Sequence, residues 1–131
     1  MKKKQSSGPK LPGVSEEMKA WSTALGTEIV AWPHVSTRSF FGFTALNRKD
    51  RIFALLPRTR GMATANSLAF KLDLSTPVVR ARLDQDPRTT STHMGKARWF
   101  AFELSSDADK RSALSWLGTA YEAAWKNKKS N

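Results

Sequence analysis

The hydrophobic periodicity of this chain changes from helical to sheet-like and back, which constrains its fold more than any other feature. Near the start, apolar residues recur at steps of three and four, namely Met18, Trp21, Leu25, Ile29 and Trp32. That spacing is the period of one helix face. Ser15 is a suitable N-cap and Pro33 follows the last member, so the pattern predicts a helix between these two residues.

Three segments in the middle of the chain are rich in β-branched and aromatic residues and predict antiparallel strands: residues 35–46, 51–56 and 66–72. In the first segment, Gly42 is interpreted as a bulge. In the third, Leu68, Phe70 and Leu72 alternate onto one face. The polar link 47–50 has the length and composition of a hairpin connection.

The rest of the chain predicts a short helix, two strands and a long helix. Ser75, Thr76 and Pro77 offer a helix cap followed by proline in the first turn, and the short helix ends before Pro87. Strands are predicted over 88–94 and 98–104, and a long helix follows Ser106. The predicted order is α-β-β-β-α-β-β-α, which favours an α+β domain with a mostly antiparallel sheet of about five strands and helices on one face.

The charge of the chain is concentrated at its ends. The net charge is +11, and seven of the 22 basic residues lie in segments 1–13 and 126–131, which contain no acidic residue. Residues 1–13 are predicted to form a disordered basic tail, because their polar composition cannot offset the entropy of ordering. Residues 14–125 are predicted as a single domain, followed by a basic C-terminal tail over 126–131.

The composition also bears on compartment and membrane association. The sequence contains no cysteine, which suits a reducing compartment. No apolar run approaches the roughly 20 residues of a membrane span, and the lysines near the start are not followed by an apolar segment. The sequence therefore predicts a cytoplasmic protein with no membrane partner.

Residues typical of catalysis or metal binding are few. His34 and His93 are the only histidines, they are isolated from one another, and no serine lies in a nucleophile-elbow motif. Asp84 and Asp86 follow a short helix and are interpreted as a solvated turn. Neither metal-ligand spacing nor a glycine-rich phosphate loop occurs. We expect no catalytic residue, no metal and no cofactor, and the chain is more simply interpreted as a binding module than as an enzyme.

Basic residues on the predicted strands and turns are the main candidates for a binding surface: Arg38, Arg48, Lys49, Arg51, Arg58, Arg60, Lys96 and Arg98. Outward strand positions would gather several of them onto one surface that contacts nucleic acid or another polyanion. The alternative is a solvated sheet edge, where lysine and arginine prevent edge-to-edge association.

Two further hypotheses concern other ligands. The loop that carries Arg58 and Arg60 follows a strand end, and its guanidinium groups suit bidentate binding of a carboxylate or phosphate. A small-molecule anion binder, or an enzyme that uses this loop, is therefore one alternative. A protein-interaction domain that uses exposed aromatic residues is the other.

Several strings resemble known small domains. RSFFGFTALNRKDRIFALL (residues 38–56) resembles the R-x-M-F-G strand and hairpin of the TfoX amino-terminal and MmcQ/YjbR-like families, and NSLAFKL (66–72) is similar to their third strand. The ending ARWFAFELSSDADKRSALSWLGTAYEAA resembles their Trp-led strand and long helix, and also bacterial domains labelled luciferase-type. Phe40 replaces the family's Met. The resemblance spans roughly residues 15–125 and implies a YjbR-type α+β fold, for which DNA binding has been suggested on fold grounds.

Overall fold

The computed structural model describes residues 13–73, 76–92 and 98–129, with side chains described as far as residue 124. Its described elements are three helices and six strands: α1 (Glu16–Ile29), β1 (Val35–Phe40), β2 (Phe43–Arg48), β3 (Arg51–Pro57), β4 (Ser67–Lys71), α2 (Pro77–Gln85), β5 (Thr89–Ser91), β6 (Trp99–Glu103) and α3 (Asp109–Lys129). Residues 1–12 of the predicted tail, together with His93 and Lys96, lie outside the described residues. Helix α3 continues past residue 125 into the predicted C-terminal tail.

The six strands form one antiparallel sheet in the order β1-β2-β3-β4-β6-β5. All three helices pack on the same face of this sheet, where their apolar side chains join one cluster. The predicted α+β fold, with an antiparallel sheet and helices on one face, is therefore confirmed. Both sheet edges, β1 and β5, are paired on one side only.

The structure has one strand more than the predicted order, because segment 35–46 is a hairpin. Phe40 pairs with Phe43, so Phe41 and Gly42 form a two-residue turn between β1 and β2. Both have positive φ, 49° for Phe41 and 89° for Gly42, as in the type I′ turn that favours tight hairpins. Gly42 thus reverses the chain and does not form the predicted bulge.

The bulge of this sheet lies instead at Phe53. Leu46 pairs with Ala54 and Asn47 pairs with Ile52, so Phe53 is an additional residue in β3. Both Phe53 and Ala54 consequently join the helix-side cluster, although neighbouring strand residues normally point to opposite faces.

The core lies mainly between the sheet and the helices. Leu46, Ala54, Phe70 and Phe100 follow one another across four adjacent strands, and the ring of Phe70 stacks on that of Trp116 of α3 at 5.1 Å between centroids. A second, smaller cluster lies on the opposite face and comprises Phe43, Ala45, Leu55, Met62, Ala69, Trp99 and Ala101.

Candidate functional site

The predicted basic residues are divided among separate places in the structure. Arg48 is largely buried between the sheet and α3. Its guanidinium lies 3.9 Å from the centroid of the Tyr121 ring and donates a hydrogen bond of 3.1 Å to the Tyr121 carbonyl. Lys49 has a φ of 57° in the β2–β3 turn and donates its backbone N–H to the carbonyl of His34.

Arg51 and Arg98 are brought together around a buried carboxylate, that of Asp73. This side chain is only 3% exposed, and Lys71 approaches it most closely, at 3.3 Å from Nζ to Oδ1. Arg98 lies at 3.7 Å and Arg51 at 4.0 Å from the same carboxylate. Three cations therefore share one anion at this end of the sheet.

Arg38, Arg58 and Arg60 lie near the β1–β2 hairpin and are all exposed. Arg58 donates a hydrogen bond of 2.8 Å to the Ser39 hydroxyl, which places it on the helix side of the sheet. Arg38 pairs with Ala45, which belongs to the cluster on the opposite face. Arg58 and Arg38 are therefore on different faces.

A groove of about 500 Å³ lies between α1 and the helix side of β1, β2 and β3. It exists because β1 is the sheet edge, while α3 packs mainly on β3 and β4. One wall is formed by one face of α1 and its C-cap: Lys19, Ser22, Thr23, Gly26, Thr27 and Val30. Strand residues and the residue after β3 form the floor: Thr37, Thr44, Leu46, Leu56, Pro57 and Arg58.

Both cations of the groove lie at the same end. Lys19 is in the first turn of α1, and Arg58 directly follows β3. The start of α1 is fastened to the loop after β3, because the backbone N–H of Val14 donates to the carbonyl of Thr59 and that of Ser15 to Ala65, both at 3.3 Å. The groove therefore has a basic end, where Lys19 also pairs with Glu16 at 3.3 Å.

Ser22 is the least satisfied polar group of the groove. The residue is 8% exposed, and its hydroxyl has no hydrogen-bond partner within the described part of the chain. The neighbouring Thr23, in contrast, donates its hydroxyl to the carbonyl of Lys19 at 3.0 Å. A buried hydroxyl without a partner costs about 1–3 kcal/mol, which a ligand that bonds to it would offset.

A smaller cavity of about 260 Å³ lies beside α2 and α3, and its polar side chains already bind one another. Asp86 accepts hydrogen bonds from Arg88 Nε at 2.9 Å and from the indole of Trp116 at 3.0 Å. Arg88 also donates to Asp109 at 2.9 Å. Asp86, interpreted from the sequence as part of a solvated turn, is instead the centre of a network, while Asp84 is exposed.

The network shifts the pKa of both carboxyl groups in the same direction. Burial raises the pKa of Asp86, but hydrogen bonds from Arg88 and Trp116 together lower it by more, so that it lies below its usual value. The pKa of Asp109 is lowered by the backbone N–H of Ser105, raised by burial and lowered again by Arg88. Both groups are thus held ionised by structural contacts.

Sequence reasoning identified Arg58 but none of the hydroxyl residues that share its groove. Ser22 and Gly26, four residues apart on α1, are small residues beside its apolar face, and Thr37 and Thr44 face the same side of paired strands. These residues lie together in one groove because of the way α1 packs over the sheet, and local sequence patterns do not specify that packing.

The described ranges 13–73, 76–92 and 98–129 contain no cluster of three or more potential metal ligands. Within those ranges, no helix combines the length and apolar character that crossing a membrane requires.

Comparisons of the chain with family models, with curated proteins and with solved structures found no match in any of the three. The resemblance to MmcQ/YjbR-like and TfoX amino-terminal domains therefore stays a prediction.

Proposed function

We propose that this chain is a binding module that takes a small anionic molecule in the groove between α1 and β1–β3. The volume of about 500 Å³ falls within the range of small-molecule sites, which is roughly 300–1,000 Å³. Lys19 and Arg58 would bind the anionic group at the basic end. The threonines along the wall and floor would hydrogen-bond the rest of the ligand.

The observation that carries this proposal is the buried hydroxyl of Ser22. Buried polar groups are nearly always hydrogen-bonded, so an exception in a groove points to a missing partner. Ser22 lies one helical turn from Lys19, on the wall that also carries Gly26. Once its side chain rotates towards the groove, this hydroxyl would donate a hydrogen bond to a carboxylate or phosphate oxygen at the basic end.

The chemistry of the lining favours binding over catalysis. The described residues of the groove provide cations, hydroxyl groups and aliphatic side chains, and none of them is a histidine or a carboxylate. General acid–base catalysis usually relies on those two side-chain types. The lining therefore suits the binding of a ligand that carries a negative charge and hydroxyl groups.

The distribution of the basic residues also favours a compact ligand. Arg48 is packed against Tyr121, and Arg51 and Arg98 gather around Asp73 near the start of β3, whereas Arg58 follows its end. The strands therefore do not present these cations as one continuous surface of the kind that an extended duplex contact uses. Arg58 forms no ion pair within the described part of the chain.

An NMR titration of the full chain tests the proposal. The probes are inorganic phosphate, pyrophosphate, citrate and a hexose 6-phosphate, each added at millimolar concentration. We expect at least one to shift the backbone amides of Ser22, Thr37 and Thr44, which lie on separate elements around the groove. Arg58→Ala should weaken that binding about tenfold or more, because a charge-assisted hydrogen bond contributes roughly 1.5–3 kcal/mol.

Arg80→Ala is the matched control, because Arg80 is an exposed arginine on α2 and does not line the groove. Its effect should stay within about twofold, as expected for a charge outside the site. If Arg80→Ala weakens binding as much as Arg58→Ala, the probes respond to general positive charge and the groove is not the site. Amide shifts confined to regions outside the groove would lead to the same conclusion.

A further inference from the structure

The β1–β2 turn presents an unusual aromatic side chain to solvent. Phe40, Phe41 and Gly42 form the hairpin tip. Phe41 is 77% exposed, and the ring contact found for it in the described chain is an edge-to-face contact with Phe40, 4.8 Å between centroids. Most of its apolar surface is therefore available to a partner.

The backbone at Phe41 is unfavourable for an aromatic residue. Its φ of 49° lies in the left-handed region, where glycine and asparagine are the usual residues of a tight hairpin. Burial in the core does not compensate for this conformation, because the ring projects into solvent. A strained and exposed aromatic residue is therefore better explained by an intermolecular contact than by folding.

The hairpin tip is held firmly by the chain that follows β3. The carbonyl of Gly42 accepts hydrogen bonds from the backbone N–H groups of Arg58 at 3.0 Å and Thr59 at 2.9 Å. Two bonds to one carbonyl hold the backbone of the turn that carries Phe41. Contact with a partner would then need little further ordering.

Two exposed arginines flank the hairpin tip. The side chain of Arg60 crosses Gly42 so closely that its Nε lies 2.9 Å from where a Cβ on Gly42 would be. Arg38 is two residues before Phe40 on β1 and so shares its face of the sheet. Neither forms an ion pair within the described ranges.

We propose that the hairpin tip is a contact site for single-stranded nucleic acid, in which a base stacks on Phe41 while Arg60 and Arg38 meet the adjacent phosphates. An exposed ring beside cations is the combination with which proteins hold unpaired strands. The net charge of +11 adds long-range attraction for a polyanion. This site lies next to the basic end of the α1 groove, because Arg58 of the groove donates its backbone N–H to Gly42, but its ligand belongs to a different class.

Fluorescence polarisation of a labelled oligothymidine strand of about twelve nucleotides tests the proposal on the full chain, over a series of salt concentrations. Phe41→Asn should weaken binding about fivefold or more, since stacking contributes roughly 1–3 kcal/mol per base. Asparagine tolerates positive φ, so this variant should fold. Arg60→Gln should reduce the dependence of affinity on salt by about one counterion.

Two matched controls carry equivalent changes on α2. Val78 is 71% exposed, so Val78→Asn removes an exposed apolar residue elsewhere, and Arg80→Gln removes an exposed arginine. Both should change affinity less than about twofold. An abasic strand of the same length separates stacking from charge. It should bind more weakly than the thymidine strand, and Phe41→Asn should not change its affinity, because it has no base to stack on the ring.

Three results would overturn the proposal. The first is equal affinity of Phe41→Asn and the parent chain for the thymidine strand. The second is an equal loss for the abasic strand, which would show that no base stacks on the ring. The third is that Phe41→Asn loses binding to phosphatidylglycerol vesicles but not to the strand, which would assign the tip to a membrane surface. None of these results would contradict the proposed ligand site in the α1 groove, because the variants leave Ser22 and Lys19 unchanged.

Discussion

At the residue scale, two side chains occupy positions that lower the stability of the free protein. Ser22 buries a hydroxyl without a partner in the described chain, and Phe41 holds an aromatic ring at positive φ. Residues that break local rules are commonly found where a protein binds something, because selection for binding tolerates a loss of stability.

Ser22→Ala should therefore stabilise the free protein. The change removes the unpartnered hydroxyl and improves helix propensity, and we expect the free energy of unfolding to rise by about 0.5–2 kcal/mol. Thr23→Ala is the control, because it also improves propensity but acts on an exposed hydroxyl. Urea unfolding followed by tryptophan fluorescence provides the measurement. A gain for Ser22→Ala no larger than that for Thr23→Ala would show that the buried hydroxyl is not destabilising.

Patterns within one strand were predictable at this scale, and pairings across the fold were not. Leu68, Phe70 and Leu72 lie in the helix-side cluster as their alternation predicts. The Phe41–Gly42 turn was missed, because a type I′ turn is usually signalled by Asn-Gly or Asp-Gly. The burial of Arg48 against Tyr121 joins residues far apart in the sequence, which no local pattern indicates.

At the scale of elements, helix starts followed directly from the sequence. The Ser15 hydroxyl accepts the N–H of Met18 at 3.0 Å, and that of Thr76 accepts the N–H of Val79 at 3.2 Å. The Ser15 cap was predicted, and the cap of α2 was predicted within the pair Ser75 and Thr76, because capping depends on residues only three positions apart. The groove could not be predicted in the same way, since it depends on which strands the helices leave uncovered.

The loop between β3 and β4 depends on Gly61. A Cβ at this position would lie 1.8 Å from the carbonyl oxygen of Thr64, so the backbone would have to move. The loop also fixes the start of α1 through Thr59 and Ala65. Gly61→Ala should thus lower the free energy of unfolding by about 1–3 kcal/mol.

Gly13→Ala is the matched control for Gly61→Ala, because nothing lies within 4 Å of the corresponding Cβ. Its effect should stay within about 0.5 kcal/mol. Chemical denaturation of both variants gives the comparison. Equal stabilities for the two would mean that the loop relaxes without loss, and that the close approach at Gly61 does not constrain the fold.

At the scale of the whole molecule, a polar network ties together elements that are distant in the sequence. Asp86 follows α2, Arg88 precedes β5, and Asp109 and Trp116 belong to α3. Hydrogen bonds join all four residues. The network thereby fastens the sheet edge and the short helix α2, which has no fully buried residue of its own, to the longest helix of the fold.

This network makes the stability of the whole molecule sensitive to acid. Because the pKa of Asp86 and Asp109 is lower in the folded than in the unfolded chain, their contribution is complete above about pH 5 and is lost as the pH falls through the folded values. Asp86→Asn should lower the free energy of unfolding at pH 7 by about 1–3 kcal/mol, and its loss of stability below pH ~4 should be shallower than that of the parent. The exposed Asp84→Asn should follow the parent curve. Parallel acid curves for Asp86→Asn and the parent, measured by denaturation across pH, would show that other carboxylates control acid unfolding.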